Sequence, residues 1–162
     1  MTTTASATRA ADSLSITGVT GLAWPLSLFA EWEQPVVTSA ASLIFQIDAN
    51  TNNDRAYAYY SSGNVPDLGI TAASASQADI TIGSAMTAGQ INKLAGRAAA
   101  NNAQAARNGA LGSADTSVTV PATPTNIRFG MHVSGSQGFI YLRHAALFSR
   151  ALSDAELTAL TL

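Results

Sequence analysis

Glu31 and Glu33 stand two residues apart in the extended run SLFAEWE, and the two-residue period of a strand sets both carboxylates on one face. Two carboxylates about 5 to 10 Å apart are what glycoside hydrolysis requires, one as acid and the other as base or nucleophile. A solvated face near a strand end accounts for the same pair. The solvated face is the favoured reading, so hydrolysis is not the expected activity. A second array, Asp48, Asn50, Asn52 and Asp54, repeats the first, third, fifth and seventh positions of a calcium loop. Asn53 occupies the usual glycine position and Tyr59 stands where the bidentate glutamate belongs, which favours a hairpin turn without metal and leaves calcium as the alternative.

Tyr57, Tyr59 and Tyr60 follow that turn, and Trp24 precedes Pro25. Flat rings with a polar handle stack on sugars when exposed and fill a core when buried. Alternation sets Tyr57 and Tyr59 opposite Tyr60, so at least one of them is available for a surface role. The candidate ligand-binding residues are therefore Asp48, Asn50, Asn52, Asp54, Tyr57, Tyr59 and Trp24, with no catalytic set and no assigned metal site. His132 and His144 are expected within strands. Neither has an acid and a serine in catalytic order, and both read as structural or surface histidines. The chain carries no G-x-S-x-G elbow, H-E-x-x-H pair or phosphate-cradling glycine loop.

The elements that must position these residues are mostly strands. At 162 residues the chain has the length of one domain and can bury a core without metal or disulfide staples. Hydrophobic residues make up 47% and charged ones 11%, with much of the apolar share in alanine, and no run approaches a membrane span. The opening MTTTASATRAAD lacks the apolar core of a secretory signal. Absence of cysteine removes disulfides and thiolate sites. A net charge of −2 with a single lysine, Lys93, argues against nucleic acid, whose binding needs clustered cations.

Leu14 and Ile16 alternate with polar residues as a short strand, and Leu26, Leu28, Ala30 and Trp32 share one face of the next while Ser27, Phe29, Glu31 and Glu33 share the other. Leu43, Phe45 and Ile47 point one way in LIFQID, and RAYAYY follows the Asx-rich turn, which makes a hairpin. Two short strands are expected in GITAASASQADITIG. The alanine-rich stretch from Ile91 reads as strand, turn at Asn101-Asn102, strand, with a tight hairpin at Asn108-Gly109. Further strands are expected around Val118 and Val120 and from Ile127 to Val133. The end of the chain, Gly138 to Leu160, reads as a strand followed by a short helix: Ser153 and Glu156 have capping-box spacing, and Leu152 and Leu157 that of a hydrophobic staple. Such a succession of strands and turns is the pattern of an antiparallel sandwich.

The pieces SLFAEWE, LIFQID-turn-RAYAYY, Asn108-Gly109, NIRFG (Asn126 to Gly130) and the closing GFIYLRHAALFSRALSDAELTAL together resemble a laminin-G-like module of the concanavalin A-like lectin/glucanase superfamily. In the closing motif the resemblance is carried by Gly138, Phe148, Arg150, Leu152, Ser153, Glu156 and Leu157. The opening ATRAADSLSITG, Ala7 to Gly18, resembles the lead-in of such modules in tailed-bacteriophage structural proteins. The resemblance implies an all-β, two-sheet antiparallel jelly roll over residues 13–162 with a short C-terminal helix; the preceding arm over residues 1–12, rich in Thr, Ala and Ser, has little to bury by itself and is expected to dock onto a neighbour. It implies a non-enzymatic virion protein, whether capsid decoration, head fibre or tail fibre/spike, acting in adhesion or attachment to host-surface glycans. The expected partners are other virion proteins and host glycans, with no nucleic acid, no membrane insertion and a homo-oligomer, a trimer favoured. The expected location is the virion surface after assembly in the host cytoplasm. No cofactor is expected unless calcium binds the Asp48 to Asp54 turn.

Overall fold

In the computed structural model, residues 14–37, 40–133 and 138–162 are described, so the arm expected over residues 1–12 lies outside the described residues. The elements are β1 (Leu14–Thr17), β2 (Leu26–Glu33), β3 (Ser42–Asp48), β4 (Arg55–Tyr60), β5 (Pro66–Ala72), β6 (Ala75–Thr81), β7 (Ile91–Ala99), β8 (Asn102–Arg107), β9 (Ala110–Leu111), β10 (Asn126–Phe129), β11 (Tyr141–Phe148) and α1 (Asp154–Leu160). They form a six-stranded sheet in the order β1-β10-β3-β4-β5-β6 and a five-stranded sheet in the order β11-β2-β7-β8-β9. Every pairing is antiparallel, and the whole is an all-β sandwich closed by one short helix.

Alternation fills the space between the layers. Leu28 and Trp32 of β2 enter it from one side, and Phe45, Ile47, Tyr60 and Ile70 from the other, all essentially without solvent exposure. The small residues of the alanine-rich stretch serve this approach. A Cβ built on Gly96 of β7 would lie 2.7 Å from Leu68 Cδ1 of β5, so only glycine lets that leucine seat. The stretch is strand and turn: Asn101 (φ 54°) joins β7 to β8, and Asn108 (φ 46°) with Gly109 (φ 82°) joins β8 to β9, left-handed positions suited to Asn and Gly.

The five-stranded sheet is buried on its outer face as well. Phe29, Ala95 and Ala106 lie beneath Leu152 and Leu157, which form a second, smaller core under α1. Ser27 and Phe29, on the polar-facing side of β2, are buried for this reason. The helix is held by the capping box: Glu156 N donates to Ser153 Oγ at 3.3 Å and Ser153 N to Glu156 Oε2 at 2.7 Å. Arg97 of the sheet below donates to Leu152 O at 2.7 Å and pairs with Asp154 at 3.0 Å, tying the helix start to β7.

Several local expectations are corrected. Val118 and Val120 form no strand. Val118 is buried in a loop and its carbonyl accepts from Asn101 N at 2.8 Å. The strand from Ile127 stops at Phe129, because Gly130 turns left-handed (φ 62°), and this leaves His132 in a loop, whereas His144 does lie in β11. A bulge between Leu43 and Phe45 sends Ile44 into the core and sets Leu43 opposite Tyr59, so Leu43 does not share a face with Phe45. Leu14 and Ile16 of the edge strand β1 are 57% and 51% exposed. Among the described residues no helix is long and apolar enough to cross a membrane.

The close approach at Gly96 gives a direct test. Gly96→Val forces Leu68 from its position and lowers unfolding free energy by about 1 to 3 kcal/mol. Urea denaturation reads this, and an unchanged midpoint would refute the close packing.

Candidate functional site

The outer face of the six-stranded sheet carries no covering helix. Register places Arg128 beside Gln46, Gln46 beside Tyr57 and Tyr57 beside Gly69, with Asp79 on the far side of Gly69. The outward residues of β4 are Arg55, Tyr57 and Tyr59, each partly buried, while Ala56, Ala58 and Tyr60 fill the core. Tyr57 leans across β5: a Cβ on Gly69 would lie 2.6 Å from Tyr57 Cε2, and the Arg55 guanidinium lies over the ring, 4.2 Å from its centroid. The Tyr59 ring is tilted against that of Tyr57 at 5.2 Å, and its hydroxyl donates to Asp79 Oδ1 at 2.8 Å. Burial and then this bond to a carboxylate push the Tyr59 phenol upward.

These three side chains, with Ala40, Ala41, Ser42, Leu43 and His132, line a pocket of about 480 Å³. The Leu43 bulge on β3 and the Gly130 turn after β10 bring two of its walls to the tyrosines. Arg55 and His132, 77 residues apart, are in hydrogen-bond contact. Burial first, and then the Arg55 charge, hold the His132 imidazole below its ordinary pKa, which suits a neutral ring whose Nε2 accepts from Arg55.

The Asp48 to Asp54 turn borders this region, and its oxygens already accept hydrogen bonds. Asp48 Oδ1 accepts from Asn50 N at 2.8 Å, and Oδ2 from Gln46 Nε2 at 2.8 Å and Arg128 Nε at 2.9 Å. Asn50 Oδ1 accepts from Arg128 Nη2 at 2.9 Å, and Asn52 Oδ1 from Arg55 Nη1 at 3.4 Å. Asp54 Oδ1 accepts from Ala73 N at 3.1 Å and Ala122 N at 3.0 Å. The cation that this turn holds is the Arg128 guanidinium, and its oxygens do not fit calcium, which needs six or more of them converging on one point. Among the described residues no group of three or more acids or histidines stands at metal-ligand spacing.

The other sequence candidates lie apart from the pocket. Trp24 is half-buried against the core, and its Nε1 donates to Ala122 O at 3.1 Å. Glu31 and Glu33 are on the outer face of the opposite sheet, 3.7 Å and 3.6 Å from the Arg143 guanidinium. Of the sequence candidates, Tyr57 and Tyr59 are in the pocket lining. Arg55, His132 and Leu43 were not singled out. Arg55 shares the outward parity of Tyr57 and Tyr59 in R-x-Y-x-Y, a signal present in the sequence, whereas His132 and Leu43 arrive through a glycine turn and a bulge that alternation does not announce.

Beside Tyr59, Asp67 is 3% exposed, and its Oδ1 has no hydrogen-bond partner. Burial, opposed in part by a bond from Thr81, raises its pKa, and Asp79 raises it further.

No family model matches the chain, and no curated protein is significantly similar to it. Solved structures match it in fold. The CBM40 module of the Ruminococcus gnavus IT-sialidase aligns at a TM-score of 0.66 and 13% identity, over 93% of this chain and 97% of that one. The heptameric SAP-like pentraxin from Limulus polyphemus aligns at 0.66 and 13%, over 85% and 70%. The NanB sialidase from Streptococcus pneumoniae aligns at 0.70 and 14%, over 92% of this chain but 27% of its own. The architecture is thus a two-sheet antiparallel jelly roll shared with these domains.

Asp67 supplies a pH prediction. Its folded pKa lies above the unfolded value of 3.8, so the folded state binds the proton more tightly and the cost of its charge is relieved as pH falls from the folded pKa toward that value. Asp67→Asn removes this term: relative to wild type it gains stability at neutral pH, and the difference shrinks on acidification. Thermal melts across the acid range check this, and a variant destabilised at neutral pH would refute it.

Proposed function

We propose that this chain is a non-enzymatic carbohydrate-binding module whose ligand enters the pocket over Arg55, Tyr57, Tyr59 and His132, and that it serves as an adhesive component of a tailed-phage virion. The observation that carries the binding half is the pocket itself. At about 480 Å³ it lies on the uncovered sheet face and combines tyrosine rings with an arginine and a histidine. Sites for small ligands span about 300 to 1,000 Å³ and pair apolar area with a few directional polar groups, and sugars are read by that combination. The Ruminococcus gnavus module, which shares the fold along its length, is described in complex with alpha2,3 sialyllactose, and this supports a glycan ligand here.

The lining supports recognition without chemistry: among the described residues that line the pocket none is a carboxylate, the group glycoside hydrolysis uses in pairs. Glu31 and Glu33 belong to the other layer and face Arg143.

The virion setting rests on the sequence resemblance of Ala7 to Gly18 to the lead-in of such modules in tailed-bacteriophage structural proteins. In that setting the module decorates a capsid or forms part of a fibre or spike, contacts other virion proteins through residues 1–12, and meets host-surface glycans. A symmetric trimer would present repeated pockets, which compensates for weak single contacts. Mass measurement in solution and electron microscopy of intact particles test the assembly and the location. A monomer at all concentrations would remove the trimer, and absence from the particle would remove the virion role.

Gly69 separates pocket chemistry from fold stability. Gly69→Ala displaces Tyr57 and with it the stacked Arg55, so binding to glycans identified on an array falls by about tenfold, roughly 1.4 kcal/mol, while the fold persists. Calorimetry with circular dichroism reads both. Unchanged affinity in the folded variant would place the ligand elsewhere.

A further inference from the structure

Arg55 brings a positive charge to the pocket, and none of its partners is anionic. Its Nη1 donates to Gln46 Oε1 and Asn52 Oδ1, both at 3.4 Å, and to His132 Nε2, while its buried Nε has no partner. Among the described residues no carboxylate stands within ion-pair distance of it. Arg97, Arg128, Arg143 and Arg150 each face an acid. Arg107 also lacks one, but it is enclosed between the layers and donates to Asn92, Ile82 O and Ser84 O at 2.5 to 3.2 Å. Of these arginines, Arg55 is the one that lines the pocket, and its partners there are neutral.

A partly desolvated cation without a counter-ion carries a cost that an incoming anion offsets. The planar guanidinium matches a carboxylate in shape, and the bond between them is charge-assisted on both sides. We propose that the pocket takes an acidic sugar, with the ligand carboxylate against the Arg55 guanidinium and the sugar body against Tyr59 and Leu43. This rests on the reading of the pocket as a glycan site.

His132 makes the binding respond to pH. Among the described residues, the charged groups that act on it include Arg55 on β4, Asp48 on β3 and Arg128 on β10: the two arginines disfavour its proton and Asp48 favours it. A carboxylate bound beside Arg55 offsets the arginines, so the complex holds the His132 proton more tightly than the free protein does. Affinity therefore rises as pH falls through the range in which the imidazole takes up its proton.

The test is calorimetric titration of the full chain with sialyllactose and with lactose, which lacks the acidic sugar, at about pH 5.5 and about pH 7.5. The expected result is at least about tenfold tighter binding of the acidic sugar, stronger at the lower pH. Arg55→Gln abolishes that preference and Arg55→Lys keeps part of it, both at the wild-type melting temperature. Equal binding of the two sugars, or a preference that survives Arg55→Gln, overturns the anion assignment and leaves the glycan reading in place. If neither sugar binds and a glycan array is also blank, the glycan reading falls. Acetate alone then decides the anion site through the ring-proton resonance of His132: a shift lost in Arg55→Gln supports it, and no shift overturns it.

Discussion

The buried charge of Asp48 constrains the face on which the pocket lies. A carboxylate with no side-chain exposure is tolerated only when its oxygens are filled with donors, and Arg128, Gln46 and the Asn50 amide fill them. These bonds join β10 to β3 and shape the turn that leads into β4. Arg55 is the first residue of β4, and the loop bearing His132 leaves the end of β10. One satisfied carboxylate therefore holds both sides of the Arg55 and His132 contact. The Asx-rich turn acts through backbone and guanidinium bonds, and its resemblance to a cation loop follows from the same need of oxygen acceptors for positive partners.

The two outer faces have different fates for a packing reason. On the five-stranded sheet, Phe29, Ala95 and Ala106 present an apolar strip, and α1 lies on it with Leu152 and Leu157. On the six-stranded sheet the outward residues, Leu43 and Gly69 apart, are mostly polar or aromatic with polar handles, and no helix covers the face. The surface free for recognition is the one whose alternation places Arg55, Tyr57 and Tyr59 outward.

Much of this architecture is legible in the chain. The capping box and staple of α1, the Asn108-Gly109 hairpin and the alternation of β2, β4 and β7 each follow from a local rule whose physical cause is also present in the fold. The alanine-rich segment reads as strand because Leu94, Gly96 and Ala98 alternate with charges, and the reason for its small residues is the Leu68 side chain seated over Gly96. What alternation hides is non-local. The bulge at Leu43, the early end of β10 at Gly130 and the loop path of Val118 depend on contacts with distant strands. The turn at Ala73 and Ser74 adopts positive φ without glycine or asparagine, held by bonds to Asp54 and Asn53. The pocket was legible in its tyrosines and not in His132, because no sequence rule places a residue 77 positions away beside Arg55.

Charge is distributed unevenly across the open face, and this shapes what it can do. Toward β10 lie Arg128, matched by Asp48, and Arg55, matched by no acid among the described residues. Toward β6 lie Asp67 and Asp79, with the Tyr59 hydroxyl committed to the latter. Tyr59 stands between the two zones, its ring in the pocket and its proton directed away from it. It therefore offers a ligand apolar surface, and directional donation falls to Arg55. Among the described residues, this face therefore brings one guanidinium without an acid partner, an imidazole and ring surface together at a single pocket.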